Sequence, residues 1–202
     1  MPKVDILQRL SPETRECLAL SRAQYASFQP GSADRLQAMR EGYNHERAYW
    51  NRLVVDLPEV RDATVATPHG TVPVRLYRPA PAGGAALPVL VFAHGGGFML
   101  GNLDTHDRIC RLLARLSGWA VLAVDYTLAP EKKFPVQPDE VFAVLQHVAA
   151  HGAAWGLDTR RIAVGGDSAG AHLSLAAALD ARAAGGPVVC GQVLYYGGYG
   201  LK

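Results

Sequence analysis

The chain has 202 residues, a formal net charge of +2 and a mean hydropathy of +0.03, and 49% of its residues are hydrophobic. This composition supplies a buried core and excludes a disordered chain. The lack of a long basic run argues against a nucleic-acid partner. The three cysteines are odd in number and far apart, which argues against a disulfide framework and predicts a protein of the reducing cytoplasm. Their spacing is not that of metal ligands, so no bound metal is predicted. Charges within the apolar N-terminal stretch argue against a signal peptide, and no apolar run is long enough to predict a membrane span.

The chain divides by pattern into a helical region at 1–55 and a main body at 56–202. Residues 11–13, serine, proline and glutamate, are typical of a helix start because they supply a hydroxyl cap, a first-turn proline and a first-turn acid. Ser32 is predicted to cap a second helix. Both helices precede every predicted strand, so we expect them to cover the main body as a cap.

The main body alternates strands and helices. Period-two alternation in 62–68 and 71–78 predicts a hairpin, and Thr105 is predicted to cap the first helix that follows. Buried strands are predicted at 89–93, 120–124, 161–165 and 191–196, and helices at 105–118, 138–152 and 169–184. This order predicts an α/β fold: a three-layer sandwich with a mostly parallel sheet between helices.

A glycine-flanked serine follows one of these strands, in the pentapeptide Gly166–Gly170. The pattern G-x-S-x-G between a strand and a helix is typical of a nucleophile on a tight, strained turn. The helix that begins at Ala169 adds a backbone N–H and a helix dipole beside the Ser168 hydroxyl. The sequence therefore predicts Ser168 as a nucleophile and Ala169 as an oxyanion donor.

Three consecutive glycines follow another strand, in His94–Phe98. Glycines leave backbone N–H groups free to turn toward an oxygen atom. A phosphate-binding loop would also need a lysine and a hydroxyl residue, which are absent. A loop of this type supplies the remaining oxyanion donors opposite the serine. The predicted hole consists of Gly95, Gly96, Gly97 and Ala169.

Taken together, these motifs resemble the hormone-sensitive-lipase-like branch of the α/β-hydrolase superfamily, the bacterial carboxylesterases of the fold 3 type. The matching stretches are His94–Phe98, Gly101–Asp107, Asp125–Glu131, Phe134-Pro135 and Gly165–Gly170. Thr127 departs from the family, which usually has arginine at that place, and we expect this position to be structural.

The resemblance implies hydrolysis of short to medium acyl esters through an acyl-enzyme on Ser168, without a cofactor. It implies supporting roles for two further residues: His94 braces the glycine loop by hydrogen bonding, and Asp167 stays structural. The implied partner is a small hydrophobic ester.

The triad acid and histidine are not identifiable in this chain. In this fold both follow the serine. After Ser168, however, the sequence has one histidine, His172, and one acidic residue, Asp180. His172 lies one helical turn beyond the serine, and Asp180 precedes the last strand. We therefore expect a C-terminally incomplete chain that lacks about 100 residues, since each crossover needs roughly 30.

Three alternatives stay open. The chain is an impaired fragment of a serine esterase, a non-catalytic binding remnant that keeps the serine turn, or an amidase or deacetylase with the same nucleophile. We also expect an exposed sheet edge at 192–196, which a homo-oligomer or a complementing C-terminal segment would cover.

Overall fold

A computed structural model describes residues 6–81 and 83–199 of the chain. The predicted helical region contains a short 3-10 turn at Ile6–Arg9 and the helices α1 (Pro12–Ser27) and α2 (Arg35–Asn51). The predicted cap of α1 is confirmed, because the Ser11 hydroxyl accepts the backbone N–H of Thr14 at 3.2 Å. The boundary at residue 55 falls between α2 and the first strand, and the division into two domains stays a prediction.

The cap of α2 is Asp34, so the prediction of Ser32 is wrong. The Asp34 carboxylate accepts the N–H of Gln37 at 2.8 Å. Ser32 instead accepts the N–H of Asp34 at 3.1 Å. It thus stabilises the turn that leads into the cap rather than the helix itself.

A six-stranded sheet forms the main body. In chain order its elements are β1 (Glu59–Thr67), β2 (Gly70–Arg78), β3 (Leu87–Ala93), α3 (Asp107–Ser117), β4 (Ala120–Val124), α4 (Val136–His151), a 3-10 turn (Gly152–Trp155), β5 (Leu157–Asp167), α5 (Ala169–Ala183) and β6 (Val189–Tyr195). The strand order is β1-β2-β4-β3-β5-β6. The β1–β2 and β2–β4 pairs are antiparallel, and the pairs among β3, β4, β5 and β6 are parallel.

The continuous apolar runs of β3 and β4 bury both faces of the sheet. In β3, Val89 and Val91 point to one side and Leu90 and Phe92 to the other, because successive side chains in a strand alternate. The first side packs against α4 and α5. The second packs against α3 through Cys110 and its neighbours. The predicted three-layer α/β sandwich is therefore confirmed.

Helix α3 begins later than the sequence predicts. His106 occupies its N-cap position without a side-chain bond to the helix, so the predicted cap Thr105 is wrong. The Thr105 hydroxyl instead donates to the carbonyl of Asn102 at 2.8 Å and accepts the Asn102 N–H at 2.9 Å. Thr105 therefore shapes the loop before α3.

In the described part of the chain, β6 is the last strand of the sheet and pairs only with β5. The predicted exposed edge is therefore confirmed for these residues, and Val193 and Tyr195 on it are 36% and 43% exposed. Residues 200–202 lie outside the described residues. No helix among the described residues has the length and apolar character needed to cross a bilayer.

Candidate active site

Ser168 lies on a sharp turn between β5 and α5. Its backbone angles are φ 51° and ψ −115°, a left-handed conformation that costs an L-residue roughly 1–3 kcal/mol. The Ser168 N–H donates to the carbonyl of Tyr195 at 2.9 Å, which ties the turn to the end of β6. The side chain is exposed at the carboxyl edge of the sheet. This is the strained geometry that the sequence predicts for a nucleophile.

The glycines on either side of the serine are required by a close crossing of two chain segments. A Cβ atom at Gly166 or Gly170 would overlap the carbonyl oxygen of Ala93 at the end of β3. Helix α5 therefore starts directly against β3. This contact brings Ser168 next to the loop that follows β3.

That loop, residues 95–100, is the predicted oxyanion loop. Gly96, Gly97 and Phe98 have positive φ angles of 127°, 62° and 65°. The loop closes when the Leu100 N–H donates to the Gly96 carbonyl at 2.9 Å. Among the described residues, no hydrogen-bond acceptor is found for the N–H groups of Gly96, Gly97 and Ala169, which leaves these three predicted donors free.

The fourth predicted donor, Gly95, is wrong. Its N–H donates to Oδ1 of Asp167 at 2.9 Å, so it is not free to bind an oxyanion. A Cβ atom at Gly95 would also overlap the Asp167 carboxylate. Gly95 is a glycine because the serine turn packs against it, and the structural role of Asp167 stays a prediction.

His106 is a neighbour of Asp167 that sequence reasoning missed. Its ring is 1% exposed, with Nε2 at 3.2 Å from Asp167 Oδ1 and Nδ1 at 2.9 Å from the Thr105 hydroxyl. Burial by itself would raise the pKa of Asp167. The His106 ring and the Gly95 N–H stabilise the carboxylate more than burial disfavours it, so the pKa of Asp167 lies below its usual value. The signal was available, because His106 is within a stretch that matches the carboxylesterase family.

His94 lies at the start of the loop, and its predicted bracing role stays a prediction. Its Nδ1 contacts the Gly95 carbonyl at 2.8 Å, and its ring stacks on Tyr126 with centroids 4.4 Å apart. The Tyr126 hydroxyl donates to the His94 carbonyl at 2.8 Å. Burial, followed by the neighbouring His106, lowers the pKa of His94 to about 4, so the ring is neutral at pH 7.

Thr127, the residue that departs from the family pattern, has a structural partner. Its N–H and hydroxyl donate to the two carboxylate oxygens of Glu140 at 2.6 and 2.7 Å. Glu140 is 2% exposed on α4. Thr127 therefore satisfies a buried carboxylate and fixes the loop after β4 against α4.

An apolar cavity of about 450 Å³ lies beside the oxyanion loop, between that loop, the start of α4 and the first turns of α5. Of the three residues that follow the glycines, Phe98 lines this cavity, whereas Met99 and Leu100 do not. Its lining residues are Phe98, Ala129, Lys133, Phe134, Gln137, Pro138, His172, Leu173 and Ala176.

His172 and Asp180 do not complete a triad. His172 Nε2 lies 2.7 Å from the Gly198 carbonyl, and its ring packs between Phe98 and Tyr199. Asp180 is exposed further along α5. Among the described residues, no hydrogen bond joins the Ser168 hydroxyl to a histidine. The prediction that neither residue serves as triad member is consistent with this arrangement.

The strand order, the serine turn after β5 and the glycine loop after β3 define an α/β hydrolase. Comparison with known proteins gives the same class, because residues 90–202 match a family described as alpha/beta hydrolase fold. The chain belongs to this family.

Its relatives include esterases. It is 42% identical over 207 aligned positions to an acetyl esterase of Salmonella schwarzengrund, covering 99% of this chain and 61% of that protein. An esterase of Pyrobaculum calidifontis superposes with a TM-score of 0.83 at 37% identity, covering 93% of this chain and 58% of the other. The metagenomic carboxylesterase EstE1 superposes with a TM-score of 0.77 at 39% identity, covering 82% and 56%. The chain thus spans about three-fifths of the acetyl esterase that it matches.

Proposed function

We propose that this protein hydrolyses carboxylic esters through an acyl-enzyme on Ser168. The observation that carries the proposal is the strained Ser168 turn, which faces a glycine loop with unoccupied N–H donors. The similarity to proteins named acetyl esterase and carboxylesterase supports the same chemistry.

In the proposed reaction, the Ser168 oxygen attacks the ester carbonyl carbon and its proton passes to a general base. The carbonyl oxygen becomes an oxyanion that accepts N–H groups of Gly96, Gly97 and Ala169. Loss of one such donor typically costs about 2.7–4 kcal/mol of barrier lowering. The intermediate expels the alcohol and leaves an acyl group on Ser168, which water then removes to give the acid. None of the described residues supplies the general base.

We propose short to medium acyl esters as the substrate class. The apolar cavity beside Phe98 offers about 450 Å³ next to the oxyanion loop, which accommodates a small apolar group. The name acetyl esterase among the relatives points to the short end of this range.

The first test is covalent labelling of the 202-residue chain with a fluorophosphonate, read by intact mass and peptide mapping. We expect one adduct, located on Ser168 and absent in Ser168→Ala, and we expect it to form slowly because none of the described residues supplies the base that activates the hydroxyl. Labelling that is equally fast in both proteins would contradict the proposal. Ser174, which lies on the same helix with its hydroxyl donating to the Gly165 carbonyl, is the internal control that should stay unmodified.

The second test is hydrolysis of p-nitrophenyl acetate and butyrate, compared with the matched anilides. A site that has lost a triad member still retains about 10³–10⁴-fold catalysis over water from the oxyanion hole and binding alone. Only the part of the ester rate that Ser168→Ala removes therefore reports the nucleophile, and we expect that part to be weak. Equal rates for the wild type and Ser168→Ala would favour a non-catalytic binding protein. Faster cleavage of the anilide would favour an amidase.

A further inference from the structure

Arg40 connects helix α2 to the oxyanion loop, although the two are far apart in sequence. Its Nε–H donates to the Met99 carbonyl at 2.9 Å, and its Nη2–H donates to the Ala129 carbonyl at 3.1 Å. The same guanidinium forms a two-pronged ion pair with Glu131, at 2.6 and 2.8 Å. One side chain thus joins three parts of the molecule: α2, the loop after β3 and the loop after β4.

These contacts hold the loop at Phe98 and Met99. Arg40 binds the carbonyl of Met99 directly. It also binds Ala129, whose own N–H donates to the Phe98 carbonyl at 2.8 Å. The carbonyl oxygens of two consecutive loop residues are therefore fixed, one by Arg40 and one by a segment that Arg40 positions.

The loop needs such an external anchor. Phe98 has a φ of 65°, which is unfavourable for a residue with a Cβ atom, and it follows two glycines that also have positive φ. Among the N–H groups of residues 96–100, only those of Met99 and Leu100 have an acceptor in the described part of the chain, and both donate to the Gly96 carbonyl. Residues 97–99 are exposed, so packing does not fix their conformation.

Arginine is suited to this role because its planar guanidinium presents N–H groups in a fixed fork. The Arg40 side chain is about 20% exposed, so its geometry is constrained on most sides. A lysine could pair with Glu131, but a single ammonium group cannot reproduce the fork that binds two carbonyls and a carboxylate.

We propose that Arg40 is a positioning residue for the oxyanion hole: it holds residues 96–99 in the conformation that aims the N–H groups of Gly96 and Gly97 at the reacting carbonyl. Arg40 acts through the loop and does not touch the substrate. This proposal rests on the proposed function for its catalytic consequence, but the anchoring of the loop can be measured without it.

The test compares Arg40→Ala, Arg40→Lys and the control Arg35→Ala, which changes an exposed arginine in the first turn of the same helix. Hydrogen–deuterium exchange at residues 96–100 reports the loop, and the fluorophosphonate labelling rate of Ser168 reports the hole. In Arg40→Ala we expect faster exchange at the loop and labelling slowed by about tenfold to a hundredfold, less than the loss of a whole donor. Arg40→Lys should restore only part of the slow exchange at the loop and part of the labelling rate. Arg35→Ala should match the wild type in both measurements.

A variant that merely loosened the fold would raise exchange throughout the sheet and unfold at lower urea concentration. We expect the increase to be confined to the loops after β3 and β4. Where turnover is measurable, kcat should fall and KM should stay within about twofold, because the anchor affects the transition state more than the bound ester.

Each outcome decides a different point. Unchanged exchange at 96–100 in Arg40→Ala would overturn the proposal whatever the activity. Faster exchange with an unchanged labelling rate would show that the anchor does not serve the hole, which also overturns it. If the wild type itself is not labelled, the proposed function fails, and the exchange result alone then decides whether Arg40 holds the loop.

Discussion

Acidification should destabilise this protein through His94, which is buried beside the oxyanion loop. The Gly95 carbonyl can only accept a hydrogen bond, so the proton of the neutral ring sits on Nδ1. Any second proton must enter at Nε2, which has no hydrogen-bond partner among the described residues and lies 3.8 Å from Asp125 Oδ1. Burial makes this charged form unfavourable.

The magnitude follows from the pKa of His94, which falls from 6.5 to about 4 on folding. The unfolded chain binds this proton more readily than the folded one. The stability contribution is therefore fully present above pH 6.5 and is lost as the pH falls through about 4. At 1.36 kcal/mol per pKa unit, the shift amounts to about 3 kcal/mol of unfolding free energy.

The assay is urea unfolding of the wild type and of His94→Asn between pH 7.5 and 4. Asparagine keeps a donor near the Gly95 carbonyl but does not titrate. We expect the wild type to be more stable at pH 7.5, because its ring stacks on Tyr126. That advantage should shrink by about 3 kcal/mol on reaching pH 4. His151→Asn, which changes an exposed histidine, is the control and should follow the wild type.

A stability difference between the wild type and His94→Asn that stays constant with pH would refute this reasoning. So would an NMR titration that gives the His94 ring a pKa above 6. Comparing the two proteins at each pH cancels the contribution of Asp125, whose pKa is raised to about 6 by burial and by Asp104 and which therefore acts in the opposite direction.

Four further predictions concern the residues around the site and the sheet edge. Asp125→Asn should raise the free energy of unfolding at pH 7.5 by about 1–2 kcal/mol, because folding raises the pKa of Asp125 and so disfavours its charged form. The figure is reduced for solvent screening, since the side chain is 30% exposed. Urea titrations should show that the gain vanishes below pH 4, where the carboxyl is protonated in both states. Ser168→Gly should be more stable than Ser168→Ala by about 1 kcal/mol, since only glycine accepts φ 51° without strain; equal stabilities would contradict a strained turn. Gly170→Ala should lower the free energy of unfolding by about 3 kcal/mol or more, because the new Cβ atom would overlap β3. Gly191→Ala on β6 is the control: its Cβ atom would meet only Ala163 Cβ, at 3.8 Å, so this change should be neutral or slightly stabilising in the same assay. The isolated chain should self-associate through the open edge of β6, and a lysine on that edge should reduce this in light scattering; a wild-type monomer that is stable for days would argue against it.

Much of the fold could be predicted because its signals are local. The apolar runs of β3 and β4 bury both sheet faces, and glycine, proline and serine mark where elements begin and end. The Ser168 turn was predictable for the same reason: the strand, the glycines and the helix that shape it are contiguous in sequence. The two wrong caps, Ser32 and Thr105, lie within a few residues of the true helix starts, where several polar side chains compete for the same backbone groups.

The sequence by itself determined the class of fold, the identity of the serine and the glycine loop. Only the tertiary structure decided which backbone N–H groups of the glycine loop are free to bind an oxyanion. Gly95 and Gly97 look alike in sequence, but the N–H of Gly95 is taken by Asp167, which lies 72 positions further along the chain. Arg40 likewise reaches Met99 across 59 positions. Such bonds depend on which strands and helices become neighbours, and that is set by the packing of the whole sheet rather than by any local pattern.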